Sequence, residues 1–355
     1  MFRIMSRWLA VALLATIIAS ASAAPSDVAI SGDGPPVDET LLPYANASDS
    51  VALPDGRKLH IVCMGKGSPT VILTAGAGDF AGTGWSNIQP EMAKITRTCA
   101  WDRTGFGLSD GTMAEVTVAS TTADLEAALA LGGIRAPYVM VGHSLGSYES
   151  LLFTDRHPDK VVGLVLVDPS IPDQFAQLQP GQPAPDAAKN PGVQLLRKCA
   201  AEIRAETAKA GGPDPDRCFA YPHSWPAVLR EALIEKGGNP AQYEAMASYQ
   251  ENTIVSMRQV VNPSRNYRKM PLIVLTAGDR AVLPPGAPPP TDEQKARMAA
   301  MDTVINRRQA DLAALSTRGT ITQVPGANHY IQRTRPQAVL NAVAKVVMEV
   351  RASRQ

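Results

Sequence analysis

The stretch YVMVGHSLGSYESLL, residues 138–152, passes from an apolar strand-like segment through two glycines into a helix-like one. Ser144 lies between Gly142 and Gly146, with His143 and Leu145 completing a G-x-S-x-G pattern. A bare pattern of this kind arises by chance, so its context carries the argument. A serine lifted onto a tight strand-to-helix turn has strained backbone angles, and its neighbours two positions away must be small to let strand and helix approach. Such a turn aims the hydroxyl at the open end of a sheet. The following helix adds backbone N–H groups and a positive dipole end where negative charge develops. The strand VMV before Ser144 and the helix after it make it a candidate nucleophile.

Outward from this turn, short apolar runs alternate with helical stretches. RKLHIVCMG, SPTVILTAGAG, RTCAWDRTG, VVGLVLVDPS, MPLIVLTAGD and GTITQVPGANH each read as a strand, most ending in a Gly- or Asp-bearing loop. Their nearly continuous apolar character predicts strands covered on both faces. Amphipathic helices lie between them: ASTTADLEAALALGG opens on Ser/Thr caps and closes on glycines, and SYESLLFTDRHP ends at Pro158. The alternation predicts an α/β fold, a mostly parallel central sheet with helices on both faces. It breaks between about 171 and 269, where a Pro/Gly-rich loop precedes helix-like segments around 194–210, 226–237 and 241–260. This insertion is expected to be a helical cap. A second interruption, LPPGAPPPTDEQ, leads into a helix reaching about Leu315. The expected division is 1–23 signal peptide, 24–50 extended arm without a core of its own, 51–170 and 270–355 core, and 171–269 cap.

With 355 residues and 45% hydrophobic side chains the chain can bury a large core. Lys+Arg 34 against Asp+Glu 33 gives a net charge of +1, which leaves no electrostatic footprint for nucleic acid or an anionic membrane. At the N-terminus, Arg3 and Arg7 precede the apolar run LAVALLATIIA and the small-residue site Ala21-Ser22-Ala23. That layout predicts a signal peptide cleaved after Ala23, the apolar run being short for a bilayer span of about 20 residues. No later segment is apolar and long enough to span, so the mature chain is expected outside the cytosol, secreted or periplasmic. In that oxidising setting Cys63, Cys99, Cys199 and Cys218 read as disulfides, paired by chain region as Cys63–Cys99 and Cys199–Cys218. None forms a C-x-x-C pair or a cluster with histidine, so no metal site is expected.

A serine hydroxyl needs a base to take its proton. Of the five histidines, His60 precedes the turn, and His143 is expected to point off its other side. His157 closes a helix before Pro158 and His223 lies in the insertion. His329, in VPGANHYIQ after the last strand-like run, has the right place in the order. The base in turn needs a carboxylate at a strand end to hold its tautomer. Asp168, ending VVGLVLVDPS, and Asp279, following LIVLTAG, both qualify.

DRTGFGLSD, VGHSLGSY, LVLVDPS, LTAGD and GANHYIQRTRPQAV, in this order, resemble an α/β-hydrolase fold serine hydrolase of the esterase/lipase kind with a cap insertion. The resemblance spans about 55–350 apart from the two interruptions. Its commonest pattern puts the acid a few residues past the glycine after the penultimate strand, as G-x-x-D. Gly278-Asp279-Arg280-Ala281 has an aspartate two positions early. Some members instead use an Asp-Pro aspartate ending the preceding strand; Asp168-Pro169 is similar to that version, 24 residues beyond the serine. The resemblance therefore favours Asp168, with Asp279 as the alternative. It also implies an oxyanion hole from the Ala77 and Leu145 N–H groups, although Ala75-Gly76 stands where His-Gly is frequent. The strands bearing Cys63 and Cys99 would be neighbours. The implied activity is cleavage of a carboxylic ester or related acyl bond through an acyl-enzyme on Ser144, without metal or organic cofactor. The implied partner is a small ester-like substrate, with no nucleic acid and no stable membrane span after signal cleavage; the oligomeric state is left open. Peptidases, lactonases and perhydrolases share the triad. Phe219, Tyr221, Trp225, Met246 and Tyr249 would either line an apolar pocket or pack the cap onto the core.

Two other readings compete. A binding protein on a hydrolase scaffold would keep the same residues idle. A nicotinamide-dependent oxidoreductase would use Gly76-x-Gly78-x-x-x-Gly82 as a dinucleotide loop with Asp102 on the ribose, but it needs G-x-G-x-x-G and explains neither Ser144 nor His329.

Overall fold

The computed structural model describes residues 36–280 and 288–353. The expected signal peptide, residues 24–35 of the arm and part of the second interruption lie outside them.

Eight strands form one sheet: β1 (Ser50–Ala52), β2 (Lys58–Met64), β3 (Thr70–Thr74), β4 (Thr98–Trp101), β5 (Tyr138–His143), β6 (Val161–Val167), β7 (Leu272–Ala277) and β8 (Gly319–Val324). Their order is β1-β2-β4-β3-β5-β6-β7-β8, antiparallel at β1-β2 and β2-β4 and parallel from β4 onward. The sheet puts the C-terminal ends of β3, β5, β6, β7 and β8 along one edge, where loops after parallel strands converge.

The strand side chains alternate between two cores. Val71, Leu73, Val139, Val141, Val165, Val167, Ile273 and Leu275 pack on one face against Trp85, Met92 and the C-terminal helix. Ile72, Met140, Leu164, Leu166, Leu272 and Val274 pack on the other against Leu125, Leu129, Leu151 and Phe153. Each such aliphatic side chain contributes roughly 1.5–3 kcal/mol of transfer free energy. β8 departs from the expected two-sided burial. It is an edge strand with four of its six residues, Thr320–Gln323, exposed.

Four long helices flank this sheet among the described residues: α1 (Val118–Leu131), α2 (Gly146–Arg156), the helix Asp292–Ala313 and the final helix Pro336–Ala352. Thr117 caps α1, accepting from the Ser120 N–H while Ser120 Oγ accepts from the Thr117 N–H, and Gly132 ends it. Between β6 and β7 lie α3 (Pro191–Arg204), α4 (Ala227–Gly237), α5 (Pro240–Glu251) and α6 (Thr253–Gln259). The expected continuous helix over 241–260 is therefore two, interrupted at Asn252. These helices dock on the loop after β4: Ser248 Oγ accepts from the Val116 N–H, Gln242 donates to the Ser109 carbonyl, and Lys236 pairs with Asp110.

The arm is a correction. Leu41 and Tyr44, in the short 3-10 helix Glu39–Tyr44, are buried, and the Tyr44 hydroxyl donates to Gln89. Residues 50–52 then add β1 to the sheet. Without a core of its own, this segment is ordered by the main one.

Both expected disulfides are present. Cys63 and Cys99 sit opposite each other in the β2-β4 register, and Cys199 joins α3 to Cys218 in the following loop. Among the described residues no cysteine is free, and no helix is long and apolar enough to cross a membrane.

Candidate active site

Ser144 stands between the end of β5 and the start of α2 with φ 51°, a left-handed conformation unusual for a residue with a side chain. The turn is over-determined. The Ser144 N–H donates to the Val167 carbonyl, and the Ser144 carbonyl accepts from the N–H groups of Ser147 and Ser170. A Cβ at Gly146 would lie 2.3 Å from the Ala75 carbonyl oxygen, and one at Gly142 would lie 2.5 Å from that of Gly146. The flanking glycines are thus demanded by close approach.

His329 follows β8 and reaches this turn from 185 residues away, its Nε2 2.9 Å from Ser144 Oγ. Its Nδ1 lies 2.7 Å from Asp168 Oδ2. An ionised carboxylate only accepts, so Nδ1 carries the proton and bare Nε2 accepts from the serine hydroxyl. Asp168 ends β6 with φ 38° and is fully buried. Burial alone would raise its pKa. The bond and charge of His329 and the Arg280 guanidinium outweigh burial and hold the carboxyl well below the usual range. Asp279 does not join this chain of bonds. It is exposed beyond β7, with its N–H donating to the Ala327 carbonyl.

His143 does not turn away from the site. Its ring centroid is 4.8 Å from that of His329, and its Nε2 is 3.0 Å from the His329 carbonyl oxygen. A carbonyl only accepts, so Nε2 holds the His143 proton and Nδ1 is a bare, buried atom with no partner among the described residues. Burial, reinforced by the neighbouring His329, pushes the His143 pKa well down and keeps the ring neutral. The remaining histidines lie elsewhere: His157 contacts Glu126, His223 is exposed, and His60 is buried against Asp102.

Ala77 and Leu145 pack in one apolar cluster with Phe106, Met246 and Tyr249. Among the described residues, neither the Ala77 nor the Leu145 N–H donates to a backbone carbonyl outside regular elements. The loop carrying Ala77 is held from below. Arg103, almost wholly buried, donates to the carbonyls of Ala75 (2.6 Å) and Gly76 (3.0 Å) and pairs with buried Glu149 of α2. Tyr249 of α5 donates to the same glutamate and lies over the guanidinium. Of the other aromatic candidates in the insertion, Phe219 packs with Cys199 and Tyr243, while Tyr221 and Trp225 pack with Phe80 and Leu108.

Sequence reasoning missed Arg103, Glu149, Arg280 and Gln309. Glu149 stands among serines in an amphipathic helix, so nothing local marked it as buried; once buried, it demands a partner. Arg280 directly follows Asp279, and nothing local distinguishes it from a solvent-facing loop arginine. The dinucleotide reading is overturned. Asp102 is buried and committed, its Oδ2 to His60 and the Leu108 N–H and its Oδ1 to the Ala81 N–H.

A family model described as "Alpha/beta hydrolase family" matches residues 71–342, and the chain belongs to that family. Over 118 residues it is 31% identical to the 2-hydroxy-6-oxononadienedioate/2-hydroxy-6-oxononatrienedioate hydrolase of Escherichia coli, covering 31% of this chain and 39% of that one. The chain spans less than half the length of the curated relatives it matches. Among solved structures, the epoxide hydrolase CorEH superposes with TM-score 0.57 at 17% identity, over 85% of this chain and 98% of that one. A thermophilic esterase from Thermogutta terrifontis superposes with TM-score 0.52 at 19% identity, over the same shares. At these identities the two structures share the fold.

Proposed function

We propose that this protein is an exported serine hydrolase that cleaves a carboxylic ester or a related acyl bond through an acyl-enzyme on Ser144. The single observation carrying this reading is the continuous bond chain Ser144 Oγ, His329 Nε2 and Nδ1, Asp168 Oδ2, with both links under 3 Å. Ser144 Oγ attacks the substrate carbonyl carbon while His329 Nε2 takes its proton. The oxygen that becomes negative is held by the N–H groups of Ala77 and Leu145, near the N-terminus of α2. His329 then returns the proton to the leaving alcohol oxygen as the C–O bond breaks. Water repeats the two steps, releasing the acid and restoring the serine. Asp168 acts by fixing the imidazole tautomer and stabilising the imidazolium. Export is supported by the two disulfides and by the N-terminal layout, Arg3 and Arg7 before an apolar run and a small-residue site.

The test is an active-site fluorophosphonate on the mature protein, with the adduct located by mass and p-nitrophenyl esters of increasing acyl length as substrates. A single adduct at Ser144, lost in Ser144→Ala, is expected together with ester turnover. A folded protein that takes no label at Ser144 would instead be a binding protein on this scaffold.

A further inference from the structure

The Asp168 carboxylate holds more donors than are needed to orient one imidazole. Oδ1 accepts from the Ala277 N–H (3.2 Å), Gln309 Nε2 (3.1 Å) and Arg280 Nη2 (2.8 Å). Oδ2 accepts from Arg280 Nε at 2.9 Å as well as from His329. Arg280 is therefore a two-pronged partner, and its side chain is only 11% exposed. The fork is itself held. Nη2 donates to Thr276 Oγ1 and Asn306 Oδ1, each at 2.9 Å, and Nη1 pairs with Asp302. Asp302, Asn306 and Gln309 all come from the helix Asp292–Ala313, at spacings of four and three that share one helical face. That helix follows the Pro-rich interruption, so the segment after β7 supplies the acid with a cation instead of supplying the acid.

We propose that Arg280 is a positioning residue for the reaction: it clamps the Asp168 carboxylate against His329 and, through its charge, moves the acid limit of activity to lower pH. The inference rests on the Ser144–His329–Asp168 reading above. A lone buried carboxylate beside an imidazole would strongly favour the imidazolium, which cannot take the serine proton. The guanidinium offsets that pull. Asp302 acts in the opposite sense, because it partly neutralises Arg280. Among the described residues, the other groups around His329 are the neutral His143 ring, the Tyr330 ring at 5.5 Å and Ser144; Arg333 lies over Tyr330 and is paired with Asp79. Among them, Arg280 is the cation in direct contact with the acid.

The readout is the rate of fluorophosphonate labelling at Ser144 as a function of pH, which reports activation of the serine without needing the natural substrate. Thermal melts run beside it check that each variant folds. Arg280→Met is expected to move the acid limb up by about one pH unit and to lower the plateau rate about tenfold or more. Arg280→Lys is expected to keep the limb near its wild-type position while the plateau still falls, since a point charge lacks the fork. Asp302→Asn is expected to move the limb down, by less, because Asp302 is 39% exposed. A folded Arg280→Met with an unmoved limb overturns the proposal, as does a limb that Asp302→Asn moves upward. If Arg280→Met does not fold, Asp302→Asn decides by the sign of its limb shift and Arg280→Lys by a lowered plateau at an unmoved limb. A wild type that takes no label sinks the serine-hydrolase reading itself; a labelled wild type whose limb is moved by neither Arg280→Met nor Asp302→Asn sinks only the role of Arg280.

Discussion

The molecule contains two histidine–aspartate pairs of nearly the same geometry. His60 Nδ1 lies 2.8 Å from Asp102 Oδ2, and His329 Nδ1 lies 2.7 Å from Asp168 Oδ2. What separates them is the second nitrogen. His60 Nε2 faces the Asn46 carbonyl oxygen at 3.2 Å, so both ring nitrogens of His60 face acceptors. Burial would push its pKa down, but Asp102 and the Asn46 carbonyl outweigh it and the net shift is upward. His329 Nε2 faces a hydroxyl and keeps a lone pair, and its side chain is 17% exposed where that of His60 is sealed. A histidine beside an aspartate is therefore a clamp or a base according to what its other nitrogen meets. Of the two, it is His329 that presents a nitrogen to a hydroxyl.

The largest expected effect separates the two aspartates near the edge of the sheet. Asp168→Asn should lower Ser144 labelling and ester turnover by about 10⁴-fold, through the wrong imidazole tautomer. Asp279→Asn, an exposed change, should leave both nearly untouched and stability within about 0.5 kcal/mol. Comparable losses in the two would break the assignment of the acid.

Next in size is the other pair. Asp102→Asn weakens a buried acceptor shared by His60 and the Ala81 and Leu108 N–H groups and should destabilise the fold by about 1–3 kcal/mol, read by denaturant melts. Labelling per folded molecule should fall far less than in Asp168→Asn. Should Asp102→Asn instead abolish labelling in protein that still melts like wild type, the division into clamp and base is wrong.

The smallest effect concerns His143, the neutral ring beneath His329. Its folded pKa is depressed from 6.5, so below pH 6.5 the unfolded chain takes up a proton that the folded one refuses. Stability is then lost as pH falls below that value, by about 1 kcal/mol one unit lower. His143→Gln, which keeps a donor for the His329 carbonyl, should flatten this part of the melting-temperature profile. An unchanged slope between pH 7 and 5.5 would mean that the ring charges in the folded state.

Much of this architecture was legible in local sequence. Seven of the eight strands were legible as short runs, the interior ones because a strand covered on both faces needs a nearly continuous apolar run, and β8 despite its exposed Thr320–Gln323. The eighth, β1, was missed because Ser50–Ala52 is three residues long and carries no period. The turn at Ser144 was legible because close packing leaves room only for glycine on either side. Cys63 and Cys99 pair by chain region and by the strand order that the resemblance implies, and the β2-β4 register sets them opposite each other. Which aspartate meets His329 was not legible, since both end strands on one edge and the choice lies across 161 residues of chain.

The sequence by itself therefore determined the order of strands and helices, the serine turn, the position of His329 in the chain and the family resemblance. All of these are properties of short segments, read through period, spacing and steric demand. Tertiary structure alone decided that Asp168 rather than Asp279 meets His329, that Asp102 is spent on His60, and that Arg280 and one face of a distant helix close around the acid. The physical reason is that a buried charge is satisfied by whatever the fold brings within about 3 Å, and no local pattern records which distant residue that will be.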